Sequence, residues 1–178
     1  ADGYKSVSRS LSICRMDPMN KNLLLAAIAG KETSVIDEVA DAQGVKPNFL
    51  QRQIASGRIV VMQRDGKPSV GIGEGLKTKI NANIGTSGYN NDPAMELEKL
   101  AVSVRYGADT VMDLSTGGDI RAMRKKIVAE SRVPIGTVPV YEAIVRSPDV
   151  AGLSEDDFMN SIRTHINDGV DFITVHCG

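Results

Sequence analysis

The chain has 178 residues and a formal net charge of −1, from 21 basic and 22 acidic side chains. This balance indicates neither a nucleic-acid footprint nor a surface that attracts membranes. No apolar run approaches the ~18 residues that a spanning helix requires. The two cysteines, Cys14 and Cys177, match no metal-ligand spacing. We therefore expect no nucleic-acid or membrane partner, and a reducing, cytoplasmic compartment.

Residues 1–18 differ in composition from the rest of the chain, because residues 5–15 are basic and rich in serine. We expect them to be a remnant of an expression vector, with Met19 as the natural start. The alternative is a transit-type segment, which shares this composition. In either case we expect them to lie outside the fold.

Residues 19–76 are predicted to form a small, mainly helical region. Capping residues and glycines divide it into helices at 23–28 and 35–42 and a third that begins at Pro47. The second of these helices begins after Thr33 or Ser34, either of which can serve as its N-cap.

The end of this region is predicted to be a strand, at 58–63, followed by a hairpin turn at 64–67. Residues 71–75 contain three glycines, but their spacing is not that of a dinucleotide-binding loop. We interpret them as a flexible approach to the next region.

Strand patterns alternate with helix patterns from residue 77 onward. The predicted strands lie at 79–84, 109–115, 133–138 and 171–177, the third continuing towards Tyr141. Helix starts lie between them: Asp92 is a capping residue before a proline, and Ser154 with Asp157 resembles a capping box.

Helical spacing predicts which side of each of these helices is buried. The predicted buried stripes are Leu97, Leu100, Ala101 and Val104; Ile120, Met123 and Ile127; and Phe158, Ile162 and Ile166. His165 lies beside the last stripe and is expected to be solvated.

Residues 106–112 and 168–174 share one pattern, in which a glycine, a small apolar residue and an aspartate precede a strand. Their offset corresponds to two units of about 31 residues, and strands alternating with helices at this spacing predict a parallel sheet. We predict an α/β fold in which 77–178 form the N-terminal half of a (β/α)8 TIM-type barrel, about four strand–helix units.

The first of these strands turns polar at its carboxyl end. Ile80, Ala82 and Ile84 alternate with Asn81 and Asn83, so the two amides share one face. Because the strand is predicted to be buried, both amides need hydrogen-bond partners. A polar strand end that opens onto a glycine loop is where an α/β barrel carries its chemistry.

Four motifs occur in order: NANIGTS at 81–87, YGADTVMDLSTGG at 106–118, PIGTVPVY at 134–141 and GVDFITVH at 169–176. Together they resemble successive signatures of the phosphomethylpyrimidine synthase family, which makes the thiamine pyrimidine. The resemblance covers roughly residues 58–178 and corresponds to the N-terminal portion of such a protein.

This resemblance implies a radical S-adenosylmethionine lyase that rearranges 5-aminoimidazole ribotide to hydroxymethylpyrimidine phosphate. It also implies a 4Fe-4S cluster, S-adenosylmethionine, a second metal ion (zinc or iron) and a homodimer. The family holds its cluster on a C-x2-C-x4-C motif, which this sequence lacks. Because Cys14 and Cys177 cannot supply three thiolates, we expect this chain alone to ligate no metal and to be inactive.

The substrate contacts of the family carry over to Asn83, Met112, Tyr141 and His176. The resemblance implies that the Asn83 amide and the Tyr141 hydroxyl bond the ribotide, that Met112 forms an apolar wall and that His176 contacts substrate. Each residue also has a structural alternative. The Asn83 amide could instead bond its own loop, and Met112 could pack in the core. Tyr141 could be bonded to water, and His176 could be a core histidine with its hydrogen bonds satisfied.

Further residues near the strand ends leave two interpretations open. Asp113, Ser115 and Thr137 line the site or satisfy the loop backbone. Gly117 and Gly118 bind phosphate or, as we favour, form a left-handed turn before a helix. Cys177 is expected to be a packing residue.

Three alternatives remain to the thiamine enzyme. A sister family, 5-hydroxybenzimidazole synthase of anaerobic cobamide synthesis, uses the same ribotide, and residues 90–93 and Glu142 depart from the commonest thiamine pattern. An ordinary barrel aldolase would need a Schiff-base lysine, but Lys79 begins its strand rather than ending it. A non-catalytic half-barrel module would fold alone, whereas a half barrel with open edges is expected to aggregate or dimerise.

Overall fold

The computed structural model describes residues 22–64, 66–147 and 149–176. The serine-rich residues 1–18 and Cys177 lie outside the described residues, so the predictions made for them are untested. Within the described ranges, no helix is long and apolar enough to cross a membrane.

The N-terminal region contains three helices and a hairpin, as predicted. The helices are α1 (Leu23–Ile28), α2 (Ser34–Gln43) and α3 (Pro47–Ala55). Thr33 is the N-cap of α2, since its side chain accepts a hydrogen bond from the Ile36 amide. Seven buried apolar side chains form a core of their own: Ala27, Ile36, Val39, Ala40, Leu50, Ile54 and Ile59.

The hairpin consists of β1 (Ile59–Met62) and β2 (Val70–Gly73), which pair antiparallel. The prediction of a flexible segment at 71–75 is therefore wrong for residues 71–73. A Cβ at Gly73 would lie 2.1 Å from the Arg58 carbonyl oxygen. This glycine thus permits close approach of two backbones, which a glycine-rich sequence alone does not distinguish from flexibility.

Arg64, at the end of the first hairpin strand, joins the N-terminal region to the rest of the molecule. Its guanidinium donates to the carbonyl oxygens of Val128 and Val133, and its Nε lies 3.3 Å from Asp171 Oδ1. The planar guanidinium, with several N–H donors, can bond two carbonyl oxygens and a carboxylate at once.

The C-terminal part is a four-stranded parallel sheet whose strands follow one another in chain order. The strands are β3 (Asn81–Ile84), β4 (Thr110–Asp113), β5 (Ile135–Thr137) and β6 (Phe172–Ile173). The connecting helices are α4 (Pro93–Arg105), α5 (Ile120–Glu130), α6 (Pro139–Arg146) and α7 (Glu155–Asn167), with a short 3-10 turn at Val150–Gly152. The α/β class and the parallel sheet are confirmed.

Helices cover one face of this sheet. Ile84, Val111 and Ile135 point to that face and pack in one core cluster with Leu100 of α4 and with α5. Register places Asn83 opposite Met112, and Met112 opposite Gly136, on the other face. Side chains alternate along a strand, so one face of the sheet packs in the apolar core and the other carries Asn83 and Met112.

The repeated glycine–aspartate pattern has one structural role in both copies. Asp109 Oδ2 accepts from the Ile80 amide at 2.7 Å, and Asp171 Oδ2 accepts from the Ile135 amide at 2.7 Å. In each case the aspartate amide donates back to the carbonyl oxygen of the same partner residue. The repeated pattern in the sequence therefore corresponds to a pair of hydrogen bonds that joins neighbouring strands at their amino ends.

Two helix stripes differ from the prediction. In α4, Ala101 is exposed and Glu96 is fully buried. In α7, Ile166 is 48% exposed, whereas His165 is 3% exposed, so the prediction of a solvated histidine is wrong. The reason is that partners on neighbouring elements satisfy the buried polar groups, which helical spacing alone does not reveal.

The first strand of the sheet is also less buried than predicted. Only Ile84 of β3 is buried, and Asn81 and Asn83 are exposed. Within the described residues β3 pairs with β4 alone, so its other edge faces solvent. The predicted extension of the third strand towards Tyr141 is likewise wrong, because α6 begins at Pro139, as proline at a first helical position allows.

Candidate functional site

The carboxyl ends of the four parallel strands meet at one edge of the sheet, and the four predicted site residues lie on or just beyond it. Asn83 and Met112 stand side by side on the face without helices. The Met112 sulfur lies 4.0 Å from Thr174 Oγ1, two residues before His176. Asn83 and Met112 are therefore neighbours at this edge, and the segment that carries His176 reaches Met112 through Thr174.

Tyr141 and His176 form a stacked pair at this edge. Their ring centroids are 6.2 Å apart and the ring planes differ by 25°. Tyr141 lies in the first turn of α6, directly after β5, and His176 follows β6. Offset stacking at this separation is a favourable arrangement for two aromatic rings. The pair presents an exposed imidazole and a partly exposed phenol.

Asn83 keeps part of its hydrogen-bonding capacity. Its Oδ1 accepts from Asn81 Nδ2 at 2.9 Å, and Asn81 Oδ1 in turn accepts from Thr110 Oγ1 at 2.9 Å. Among the described residues, Asn83 Nδ2 donates to no protein acceptor. An exposed amide donor at a strand end is suited to bind an acceptor atom of a ligand.

Asp113 and Ser115 support the loops rather than face the site. Asp113 Oδ1 accepts from the Ser115 amide and hydroxyl, and Ser115 Oγ accepts from the Thr86 amide at 3.0 Å. Burial raises the pKa of the Asp113 carboxyl, and the bonds from Ser115 oppose that rise. Of the two interpretations of these residues, the structure favours the one in which they satisfy the loop backbone.

The buried carboxylate of Glu96, in α4, binds the loop after β3. Its Oε2 accepts from the Gly85 amide at 2.7 Å, and its Oε1 lies 2.7 Å from Lys99 Nζ. A buried carboxylate is stable when its oxygens are saturated in this way. Glu96 thereby fixes the loop that follows Asn83.

Gly117 and Gly118 have a structural role in the adjoining loop. A Cβ at Gly117 would lie 2.3 Å from the Ser87 backbone, so the two loops are in direct contact there. Gly118 has φ +69° and precedes the N-cap Asp119. The geometry is the left-handed turn that we favoured over a phosphate site.

Thr137, the third residue whose role was open, points to the helix side of the sheet, into a cluster of buried charges. Its Oγ1 lies 2.8 Å from His165 Nδ1, and His165 Nε2 lies 2.7 Å from Glu142 Oε2. Arg124, 1% exposed, bonds Glu142 and also donates to Asp168 Oδ2 from Nη2 at 2.7 Å. The cluster connects α5, α6 and α7 to the end of β5.

Both carboxylates of this cluster are ionised over a wide pH range. Burial by itself raises the pKa of Glu142, but hydrogen bonds from His165 and Arg124 overcome it and hold this pKa at about 2. Burial also raises the pKa of Asp168, and hydrogen bonds from Arg121 and Arg124 bring it down to about 2. The second Glu142 oxygen lies 2.5 Å from Arg146 Nη2, as a close ion pair without the angles of a hydrogen bond.

Sequence reasoning did not predict this cluster, although a signal for part of it is present. Arg124 occupies a stripe position of α5, between the buried Met123 and Ile127. Glu96 occupies the corresponding kind of position in α4. A charged residue inside an apolar stripe is rarely buried without a partner, so it indicates a buried ion pair. Which residue supplies the partner follows only from the tertiary structure.

A cavity of about 560 Å³ lies on the helix side of the sheet, between α6 and α7. Its lining includes Glu142, Arg146 and Ser161. None of the four predicted site residues lines it, so this cavity is not the strand-end site.

The described residues do not fit a metal site, and the two cysteines of the chain do not fit the family's iron–sulfur cluster. Among the described residues, no group of three histidine, cysteine, aspartate or glutamate side chains is placed to hold a metal ion. The whole chain has two cysteines, fewer than the three thiolates that the family's cluster motif supplies.

Comparison with known proteins finds one family. A model of the radical SAM ThiC family matches residues 22–178. The phosphomethylpyrimidine synthase of Methanopyrus kandleri is 51% identical over 150 residues, which make up 80% of this chain and 35% of that protein. That of Thermodesulfovibrio yellowstonii is 52% identical over 153 residues, or 82% of this chain and 36% of that protein. The chain thus spans 35–36% of the length of these two relatives.

Proposed function

Because the chain belongs to the radical SAM ThiC family, we propose that it forms one wall of the substrate site of a phosphomethylpyrimidine synthase. In the proposed reaction, 5-aminoimidazole ribotide is rearranged to hydroxymethylpyrimidine phosphate by a carbon–carbon lyase. The complete fold is then a (β/α)8 barrel, with residues 77–178 as its first four strands. The one-sided helix layer and the unreversed strand order support that proposal, since a doubly wound sheet has helices on both faces.

The proposal is supported by two pairs of residues at or just beyond the carboxyl ends of the strands: Asn83 with Met112, and Tyr141 with His176. Two of them stand in register on adjacent strands, and two are stacked at 6.2 Å. A flat aromatic heterocycle such as an aminoimidazole is well matched by a thioether wall and an aromatic face. The unused Asn83 amide donor supplies a directional bond to a ring nitrogen or a ribose oxygen.

The four residues have distinct proposed roles. Asn83 orients the ribotide by a hydrogen bond, and Met112 excludes water from one side of the imidazole ring. The Tyr141 hydroxyl bonds the ribotide, and the stacked His176 fixes the tyrosine ring while its own nitrogens contact the substrate. These residues bind and orient, so their effect is on the position of the reacting atoms.

The radical chemistry requires a cluster and S-adenosylmethionine, which together generate a carbon radical when bound. The residues of this chain do not fit that cluster, so no step of the proposal is routed through it. A second metal ion is proposed for the whole protein, again without ligands from the described residues. We propose that this chain alone is inactive, and that the whole protein is a homodimer in the cytoplasm with neither nucleic acid nor membrane as partner.

The test is an anaerobic assay of the full-length gene product that contains this sequence, reconstituted with iron and sulfide and supplied with S-adenosylmethionine and aminoimidazole ribotide. We expect hydroxymethylpyrimidine phosphate by mass spectrometry. A benzimidazole product would identify the sister activity instead, and absence of turnover from a sample with a full cluster spectrum would overturn both. The 178-residue chain, assayed in parallel, is expected to give no product.

A further inference from the structure

His165 has a partner for each ring nitrogen although it is 3% exposed. Nε2 faces a Glu142 oxygen at 2.7 Å, and Nδ1 faces the Thr137 hydroxyl at 2.8 Å. Arg124 Nη1 also lies 3.0 Å from Nε2, so this nitrogen lies between a guanidinium and a carboxylate. The ring orientation is therefore fixed at both ends.

The two partners of His165 flank the segment that carries Tyr141. Thr137 is the last residue of β5, and Glu142 directly follows Tyr141 in the first turn of α6. Val138, the residue before α6, has no side chain that can cap the helix. Through its two contacts His165 holds both ends of this short segment, and thereby the start of α6, in place of a cap.

The other member of the stacked pair depends on the same helix. His176 follows β6, which α7 precedes, and the end of α7 is fixed by Asp168. Arg124 donates to Asp168 Oδ2 at 2.7 Å, and Arg121 Nη2 donates to Asp168 Oδ1 at 2.9 Å. The chain segments that carry Tyr141 and His176 are thus both tied to α7.

We propose that His165 is a positioning residue for substrate binding, which sets the Tyr141–His176 pair through Thr137 and Glu142. The proposal rests on the proposed function, since it concerns the same strand-end site. His165 touches no substrate in it. The helix-side cluster holds the stacked pair in place through the chain segment that carries Tyr141.

The experiment is a double-mutant cycle in the full-length protein between His165→Gln and Tyr141→Phe, with kcat/KM for the ribotide as readout. His165→Gln keeps a polar group near Glu142 and removes the bond to Thr137. We expect about a tenfold loss of kcat/KM in the wild-type background and about twofold or less in Tyr141→Phe, because two changes that act through one contact are not additive. Additive losses would overturn the proposal.

A second readout needs no activity. In protein labelled with 13C-tyrosine, the Tyr141 ring signal is assigned by its loss in Tyr141→Phe, and we expect it to shift in His165→Gln as the ring leaves the His176 face. An unchanged Tyr141 signal in a folded His165→Gln protein would contradict the proposal. Should that variant not fold, Thr137→Val, which removes one hydroxyl, replaces it in both measurements.

The matched control is Ile162→Val, a change in a buried apolar side chain of the same helix that removes no hydrogen bond of the cluster. It lowers the melting temperature without moving the Tyr141 signal or kcat/KM if His165 acts by position. Equal losses of kcat/KM in Ile162→Val and His165→Gln would show a merely structural role. An inactive unsubstituted protein would count against the proposed function alone, because the ring signal still tests His165.

Discussion

The polar side chains of the cluster on the helix side of the four-stranded sheet are buried and bonded to one another, whereas two of the site residues at its carboxyl edge are exposed to solvent. Thr137, His165 and Arg124 represent the first group. Asn83 and His176 represent the second. The difference separates the groups that support the strand ends from those that are proposed to contact a ligand.

The two sides are expected to respond differently to substitution. A buried polar cluster is stable only when all members are present, so removing one leaves the others unpaired. An exposed amide or imidazole has water as an alternative partner, so its removal changes stability little. Substitutions on the helix side should therefore lower the free energy of unfolding, and those on the open side should lower ligand affinity.

The largest effect is expected for Arg124→Met, which leaves the ionised Glu142 and Asp168 buried without their shared cation. Breaking such a buried ion pair typically lowers the free energy of unfolding by about 3–5 kcal/mol. Equilibrium urea unfolding followed by circular dichroism measures it. The matched control is Arg163→Met on the exposed side of α7, for which a change within about 0.5 kcal/mol is expected. Equal effects of the two substitutions would mean that the cluster does not stabilise the fold.

The second expected effect is a loss of stability of the folded protein at acidic pH. The pKa of Glu142 is held at about 2 against a usual 4.5, and that of Asp168 at about 2 against 3.8. Because the unfolded chain binds protons first, their contribution to stability is complete above pH 4.5 and is lost as the pH falls towards 2. Burial raises the pKa of Asp113 and Asp171, so these groups act in the opposite direction, above pH 3.8.

Urea midpoints measured between pH 2 and 3.8 report mainly the titration of Glu142 and Asp168, because Asp113 and Asp171 act above pH 3.8. We expect the midpoint to rise with pH in this window, and the slope to be smaller in Glu142→Gln, which has no carboxyl to titrate. The same slope in both proteins would show that Glu142 is not ionised by its partners in the folded state.

The smallest effect on stability is expected on the open side. Asn83→Ala removes an exposed amide, so the free energy of unfolding should change by about 0.5 kcal/mol or less. In the full-length protein the same substitution should weaken ribotide binding about tenfold, the equivalent of one lost hydrogen bond of about 1.4 kcal/mol. Calorimetric titration with the ribotide provides the measurement.

Asn81→Ala is the comparison variant for this last prediction, because Asn81 lies on the same face two residues earlier and bonds Thr110. Asn81 also donates to Asn83 Oδ1, so this substitution loosens the Asn83 amide but leaves the Asn83 Nδ2 donor in place. Its effect on binding should not exceed about threefold, or about 0.7 kcal/mol. If Asn81→Ala weakened ribotide binding more than Asn83→Ala, the ligand would lie nearer the amino end of β3, which would contradict the assigned site.

Most of the elements were predictable from the sequence because they depend on local chemistry. Asp92 before proline, the Ser154–Asp157 capping box and the N-cap Thr33 lie where predicted. The repeated glycine–aspartate pattern also predicted the parallel arrangement. The residues of the candidate site could be named because their motifs resemble a family. Their contact with substrate stays a prediction.

What the sequence did not reveal are the partners of buried polar groups. His165 was predicted to be solvated, Glu142 was noted only as a departure from a pattern, and Arg124 was not singled out. Each is buried because residues 18 to 44 positions away in the chain complete its hydrogen bonds. A side chain's own position in a helix gives no information about such distant partners.

The sequence by itself determined the helix caps and most of the helices and strands, because these depend on neighbours in the chain. It also contained the repeated pattern at Asp109 and Asp171, but the partners of these aspartates, 29 and 36 positions away, followed only from the tertiary structure. The tertiary structure alone decided which polar residues are buried and which face of the sheet stays open. The physical reason is that burial of a charge is favourable only where its partner's position is fixed by packing. Whether Arg124, Glu142 and His165 are buried therefore depends on the tertiary structure.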